Sequence, residues 1–128
     1  MTSPDSIRVL LVEDQQLIRR GLTMLLSTAG GIEIVAQASD GETALAALAD
    51  EEVDVVLTDA RMPGMDGVEL TSQCATRYPG LPVLVLTTFD DDALVQSALA
   101  AGASGFLLKD ASVEGLTAAL HAVIDGGM

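Results

Sequence analysis

The chain has 128 residues, 49% of them apolar, so it has room for one globular domain and is too hydrophobic to be disordered. Nineteen acidic residues stand against six basic ones, and this net charge of −13 excludes a basic surface for nucleic acid or an anionic membrane. There is no membrane-spanning apolar run, no signal-peptide pattern and only one cysteine, Cys74. These features predict a cytoplasmic domain without membrane contact.

The first half of the chain alternates short apolar runs of β character with longer segments of helical period. Residues 7–12 predict a first strand, and residues 15–28 predict a first helix. Residues 32–38 alternate apolar and polar side chains, which is typical of an edge strand, and Asp40 is placed to cap a second helix ending near residue 50. The helically spaced apolar positions of the first helix are Leu17, Ile18, Gly21, Leu22, Leu25 and Leu26.

The second half of the chain repeats this alternation three times. The predicted elements are a strand at 53–59, a helix at 68–77, a strand at 83–87, a helix capped by Asp90 and ending near 101–102, a strand at 105–108, and a helix capped by Ser112 and ending near 123–124. Five βα units predict an α/β fold: a doubly wound, flavodoxin-like three-layer sandwich with a five-stranded parallel sheet of order 2-1-3-4-5.

Polar side chains cluster where the predicted strands end. Glu13 and Asp14 follow the first strand, Asp59 ends the third, Thr87 ends the fourth and Lys109 follows the fifth. Ligands of doubly wound sheets bind at this carboxyl edge. Three crowded carboxylates predict a divalent cation, with Mg²⁺ favoured by an all-oxygen site. Lys109, the only lysine, and Thr87 supply a charge and a hydroxyl for an anion with several oxygens, which predicts a phosphate group.

Four motifs at these strand ends carry a family resemblance. They are VLLVED at 9–14, DARMPGMDG at 59–67, LTTFD at 86–90 and GASGFLLKD at 102–110. Over residues 7–125 the chain resembles the receiver domains of response regulators in two-component signalling, specifically the NarL/LuxR-type class. The resemblance implies a signalling domain rather than an enzyme, with residues 1–6 as a disordered tail and residues 126–128 as the start of a linker.

The resemblance also implies a chemistry. Asp59 would accept a phosphoryl group from a histidine kinase, with Mg²⁺ held by Asp14, Asp59 and the backbone carbonyl of Arg61, and by Glu13 directly or through water. Self-catalysed transfer and slow hydrolysis are the only reactions expected of the domain. The polar side chains at the strand ends suit this chemistry, because phosphoryl transfer needs mainly the positioning of the reacting groups and the neutralisation of charge.

A conformational switch is implied at the same edge. Lys109 and Thr87 would bind the phosphoryl group, and Thr87 and Phe106 would move together as it arrives. The alternation of the last strand also predicts that Phe106 is buried in the core. Arg61 and Phe89 are expected to tune the access of water. The resemblance leaves the cis or trans state of the Lys109–Asp110 bond open, because many receivers have proline after the lysine.

The resemblance also implies binding partners, and the sequence leaves several alternative functions open. A dimer through helices one and five, or through the face of helices four and five, is implied, with DNA bound by a C-terminal domain outside this chain. The alternatives are a stand-alone receiver, a receiver that is never phosphorylated, a flavodoxin-like electron carrier, and a Mg²⁺-dependent aspartyl-phosphate phosphatase. The phosphatase would need an acid where Arg61 stands. The acidic run 90–92 is expected to favour a helix dipole rather than bind a second metal.

Overall fold

The computed structural model of the chain describes residues 6–88 and 91–126, which contain one sheet of five parallel strands. The strands are β1 (Ile7–Val12), β2 (Ile32–Ala38), β3 (Val55–Asp59), β4 (Val83–Thr87) and β5 (Gly105–Leu108). Their order is β2-β1-β3-β4-β5, which confirms the predicted topology. β3 begins two residues later than predicted. There the Asp54 carboxylate accepts the Arg8 amide at 2.9 Å, and the ladder with β1 begins at the next residue.

Five helices within the described residues connect and follow the strands. They are α1 (Gln16–Ser27), α2 (Gly41–Asp50), α3 (Gly67–Arg77), α4 (Asp92–Ala100) and α5 (Val113–Ile124). In this part of the chain no helix combines the length and the hydrophobicity needed to span a membrane. The predicted tail and linker lie almost entirely outside the described residues, so that division of the chain stays a prediction.

Side-chain caps determine where three of the helices begin. The side chains of Asp40, Asp66 and Ser112 accept hydrogen bonds from backbone amides in the first turns of α2, α3 and α5. Such bonds satisfy amides that have no partner inside the helix. Asp90, the predicted cap of α4, lies outside the described residues. The residue at the N-cap position of α4 is Asp91.

Helices cover both faces of the sheet and make the predicted three layers. On one face, β1, β3 and β4 pack against apolar side chains of α2, α3 and α4, including Leu48, Leu70 and Ala98. On the other face, the sheet packs against α1 and α5 through side chains that include Leu26 and Leu120. Burial of these two apolar faces stabilises the sheet from both sides.

The first helix buries much less of its apolar surface than its spacing suggests. Leu26 alone of its residues is fully buried, and Leu22 is partly buried against the core. Leu17 is 83% exposed, and Leu25 is also exposed. α1 therefore touches the sheet along a narrow line and presents a second apolar stripe outward.

The prediction that Phe106 belongs to the core is wrong, because the ring is 40% exposed. Phe106 pairs in register with Val85, so it points to the face that α4 covers. β5 is the edge strand, however, and α4 packs against β4. An alternating pattern predicts a buried side chain only where a neighbouring helix covers that position.

Candidate functional site

The carboxyl ends of four strands meet at one edge of the sheet. Asp59 ends β3 and Thr87 ends β4, while Lys109 follows β5 and Glu13 follows β1. A small pocket at this edge is lined by residues 59–61, 87, 88, 91 and 109. The structure thus places every polar residue singled out at the strand ends around one position, the end of β3.

Three carboxylates form a cluster beside the pocket. Oxygens of Glu13, Asp14 and Asp59 all lie within 4.8 Å of one another. Glu13 is only 1% exposed, and one of its oxygens, Oε2, accepts the Gln15 amide at 3.1 Å. The other oxygen, Oε1, is buried without a hydrogen bond. Lys109 Nζ lies 3.5 Å from this oxygen, too far for a short hydrogen bond. A buried carboxylate oxygen that accepts no hydrogen bond, beside two further carboxylates, has the chemistry that a hard divalent cation would satisfy.

Burial raises the pKa of the Glu13 carboxyl to about 7, and the nearby charge of Asp59 adds to the increase. The Gln15 amide and Lys109 act in the opposite direction but do not offset the burial. The repulsion expected from the sequence is therefore present at Glu13, where desolvation is the larger cause.

Lys109 reaches directly into the acidic cluster. Its Nζ donates a hydrogen bond to Asp59 Oδ2 at 2.8 Å and lies 3.5 Å from Glu13 Oε1. Its own amide donates to the Thr87 carbonyl at 2.8 Å, which ties the residue to the end of β4. Burial lowers the pKa of Lys109, but the bond and charge of Asp59, together with Glu13, raise it above its ordinary value. The ammonium is therefore fixed in its charged form next to Asp59.

Two threonine hydroxyls border the pocket. Thr87 is 2% exposed, and its Oγ1 donates to the Thr88 carbonyl over 3.4 Å, which is a long and weak hydrogen bond. Thr88 is exposed, and its Oγ1 lies 3.4 Å from Asp91 Oδ2. The hydroxyl of Thr87 is thus the more enclosed of the two and gives up little if it turns towards a ligand at Asp59.

An ion pair that the sequence did not predict lies at the rim of the pocket. The Arg61 guanidinium donates two hydrogen bonds to the Asp91 carboxylate, one of them at 2.8 Å. The bonds from Arg61 lower the pKa of Asp91. One of the three acids assigned to the dipole of α4 therefore has a specific partner. The sequence places both partners at the same sheet edge, because Arg61 follows the third strand and the acidic run follows the fourth, but it does not show which acid binds Arg61.

A close approach of the backbone shapes the turn after Asp59. The Gly67 amide donates to the Ala60 carbonyl at 2.9 Å. A Cβ on Gly67 would lie 2.3 Å from the Asp59 carbonyl oxygen and 2.8 Å from the Ala60 Cα. Only glycine permits this contact, which holds the start of α3 against the end of β3. In the same turn the Arg61 amide lies 3.4 Å from Asp59 Oδ1.

The peptide bond between Lys109 and Asp110, which the sequence left open, is trans.

Comparison with known proteins shows which protein family the chain belongs to. The family model for the response regulator receiver domain matches residues 9–121. The fold also matches the solved structure of the signal receiver domain of the response regulator NarL from Mycobacterium tuberculosis, with a TM-score of 0.89 and 36% identity over 96% of this chain and 99% of that one. The chain therefore belongs to the response regulator receiver family.

Related proteins of known name show which type of receiver domain the chain is. Over 122 residues the chain is 41% identical to the transcriptional regulatory protein LnrK of Bacillus subtilis, covering 95% of this chain and 56% of LnrK. It is 38% identical over 123 residues to the transcriptional regulatory protein DegU of Brevibacillus brevis, covering 96% of this chain and 52% of DegU. The chain is thus a receiver domain of the NarL/LuxR type, as predicted, and it spans slightly more than half the length of these relatives.

Proposed function

We propose that Asp59 is the phosphoacceptor of this receiver domain and takes a phosphoryl group from the phosphohistidine of a histidine kinase. The observation that carries the proposal is the 2.8 Å bond between Lys109 Nζ and Asp59 Oδ2 at the base of a pocket that also holds Thr87. A carboxylate nucleophile, a fixed cation and an enclosed hydroxyl are the groups that phosphoryl transfer uses.

The acidic cluster fits Mg²⁺, which Asp14, Asp59 and the backbone carbonyl of Arg61 would hold, with Glu13 as a direct ligand or through water. Support comes from the spacing of the carboxylate oxygens and from the orphaned Glu13 Oε1. When bound, the cation would neutralise charge on the transferred oxygens. The residues themselves hold Asp59 beside Lys109 and gather the three carboxylates that would bind the ion.

The transfer needs no acid or base from this chain. An Oδ atom of Asp59 attacks phosphorus, so that an oxygen–phosphorus bond forms while the phosphorus–nitrogen bond of the donor breaks. The imidazole of the kinase leaves with the electron pair of that bond and takes up a proton. Lys109 and Thr87 then bind oxygens of the product, and slow attack by water on phosphorus would return Asp59 to its free carboxylate.

The proposal is tested by incubating the protein with acetyl phosphate and Mg²⁺ and measuring its intact mass. We expect a gain of one phosphoryl group, and no gain when the metal is chelated before acetyl phosphate is added. No gain under any condition would contradict the phosphoacceptor role and favour a receiver that is never phosphorylated. Rapid hydrolysis of many unrelated phosphoesters would favour the phosphatase instead.

Metal binding should depend on the protonation of Glu13. Since the pKa of this carboxyl is raised to about 7, a proton competes with the cation below that pH. We expect the Mg²⁺ affinity to rise about tenfold between about pH 6 and pH 8, and the Glu13→Gln variant to lose most of this rise. Titration calorimetry across this range tests the prediction, and an equal slope in both proteins would contradict it.

Removal of the Lys109 ammonium should separate phosphorylation from its consequences. In Lys109→Ala we expect beryllofluoride, which mimics a phosphoryl group, to bind about tenfold more weakly, because one charged hydrogen bond is lost. The change it induces at Thr87 should also be lost, as measured by amide chemical shifts. Arg77→Ala, which removes an exposed cation from the end of α3, is the matched control. Undiminished coupling in Lys109→Ala would refute this role.

The output of the switch follows from the same proposal. Thr87 turns towards the phosphoryl group and Phe106, exposed at the edge strand, moves into the space that Thr87 leaves. A homodimer then forms through α1 and α5 or through α4 and α5. Transcription would be controlled by a helix-turn-helix domain beyond this chain, with a stand-alone receiver as the alternative. The cytoplasm stays the predicted location, and the buried free Cys74 needs no oxidising compartment.

A further inference from the structure

α4 begins directly after Asp91, whose side chain does not cap the helix. α2, α3 and α5 begin after Asp40, Asp66 and Ser112, and each of these side chains accepts the amide three residues further on. Asp91 stands at the same position before α4 but makes no such bond. Its carboxylate is bound to Arg61 instead. A residue type that caps helices well is therefore engaged elsewhere.

The backbone at Asp91 shows the same difference. The three capping residues have extended backbones, with ψ of 172° at Asp40, 179° at Asp66 and 163° at Ser112. Asp91 has φ −107° and ψ 44°, outside this region. Capping of α4 would thus require both release of the Asp91 carboxylate and rotation of its backbone to the extended form. The structure shows the uncapped start of α4, and the Arg61 ion pair stabilises it.

The ion pair between Arg61 and Asp91 lies at the pocket of the proposed phosphoacceptor. Arg61 and Asp91 both line the pocket that contains Asp59. The Arg61 side chain is 72% exposed and long, whereas that of Asp91 is only 14% exposed. A phosphoryl group on Asp59 would bring close to two negative charges and three acceptor oxygens into the pocket. A guanidinium binds such a group in bidentate fashion, in competition with a single carboxylate.

We propose that Arg61 exchanges partners when Asp59 is phosphorylated. Its guanidinium leaves Asp91 for the phosphoryl oxygens, and the released Asp91 carboxylate rotates to accept the Leu94 amide and caps α4. The inference rests on the proposed phosphoacceptor role of Asp59. It makes Arg61 a positioning residue that transmits the charge of the phosphoryl group to the first turn of α4, independently of Thr87 and Phe106.

Hydrogen exchange of the Leu94 amide, measured by NMR with and without Mg²⁺ and beryllofluoride, tests this exchange of partners. The beryllium and three fluorines stand in for phosphorus and its three oxygens. In the unmodified protein we expect the protection of Leu94 to increase about fivefold when beryllofluoride is added, because a cap forms. The Glu69 amide, which Asp66 already caps in α3, is the internal control and should not change.

Three variants separate the two halves of the exchange. Arg61→Gln should protect Leu94 before any beryllofluoride is added and should bind beryllofluoride about tenfold more weakly. Asp91→Asn keeps a capping side chain but loses the ion pair, so Leu94 should again be protected from the start. Asp91→Ala can neither cap nor bind Arg61, so Leu94 should stay unprotected in both states. Both Asp91 variants should bind beryllofluoride up to about threefold more tightly, because Arg61 no longer has to leave a partner.

Two results would overturn the exchange while leaving the phosphoacceptor role intact. One is beryllofluoride binding by all four proteins with equal affinity. The other is a Leu94 amide whose protection is the same in the unmodified protein and in Arg61→Gln without beryllofluoride. Failure of the unmodified protein to bind beryllofluoride at all would instead refute the phosphoacceptor role, and the exchange with it.

Discussion

Replacement of Asp59 by asparagine is expected to abolish phosphoryl uptake from acetyl phosphate completely. The asparagine side chain would keep nearly the same shape but offers an amide in place of the nucleophilic carboxylate. Asp59 is buried at the end of β3, and its Oδ2 lies 2.8 Å from Lys109 Nζ, closer than Glu13 Oε1 at 3.5 Å. Intact mass spectrometry after incubation with acetyl phosphate and Mg²⁺ measures the result.

The matched control for this variant is Asp66→Asn on the same loop. Asp66 caps α3 by accepting the Glu69 amide at 2.9 Å, and asparagine caps a helix about as well as aspartate. Uptake should therefore be unchanged in this variant. Persistent uptake in Asp59→Asn, with the phosphoryl group mapped to Glu13 or Asp14, would show that the proposal names the wrong nucleophile within a correct cluster.

Replacement of Gly67 by alanine is expected to have the largest effect on stability of any single methyl addition at the site. The new Cβ would meet the Asp59 carbonyl oxygen at 2.3 Å and the Ala60 Cα at 2.8 Å. Both are backbone atoms of a fully packed strand end and cannot rotate away. We expect a loss of about 3 kcal/mol in the free energy of unfolding and a decrease of roughly 10 °C in Tm. Since Asp59 must shift, phosphoryl uptake should slow as well.

Gly21→Ala provides a control with the opposite sign. Gly21 lies inside α1, and a Cβ there would meet nothing within 4 Å. Alanine in a helix interior should stabilise the protein by about 0.5–1 kcal/mol relative to glycine. Thermal unfolding followed by circular dichroism compares the two variants. Equal Tm values for Gly67→Ala and the unmodified protein would show that the turn after β3 can relax, and would contradict the tight packing described above.

The sheet was predictable because each strand carries its environment in its side chains. β1 and β3 are almost wholly apolar and lie at the centre, whereas β2 alternates apolar and polar residues in its sequence and lies at the edge. The structure does not keep this alternation on one face, because a register shift against β1 puts Ile32 and Ile34 on one side of the sheet and Ala36 and Ala38 on the other. This pattern, together with right-handed crossovers, leaves few possible strand orders. The convergence of polar residues on one edge follows from the topology alone, since parallel strands end on the same side.

Other features depend on which helix covers a strand position and which side chains pair across the fold, and the local sequence pattern does not show either. Phe106 has the spacing of a core residue but sits on an edge strand that α4 does not cover. Leu17 has the spacing of a buried helix position but faces away from the sheet. The Arg61–Asp91 pair joins residues 30 positions apart, and the acid at the start of α4 looked like a simple dipole partner. Tertiary geometry decides each of these cases.

A crystal structure of the protein with Mg²⁺ and beryllofluoride would show directly whether Asp59 is the phosphoacceptor. We predict beryllofluoride bonded to an Oδ atom of Asp59, with Lys109 Nζ and Thr87 Oγ1 on its fluorines. The metal should lie between Asp14, Asp59 and the Arg61 carbonyl. Beryllofluoride bonded elsewhere, or a Thr87 hydroxyl still directed at the Thr88 carbonyl with Lys109 away from the fluorines, would contradict the assignment of this edge as the phosphoacceptor site.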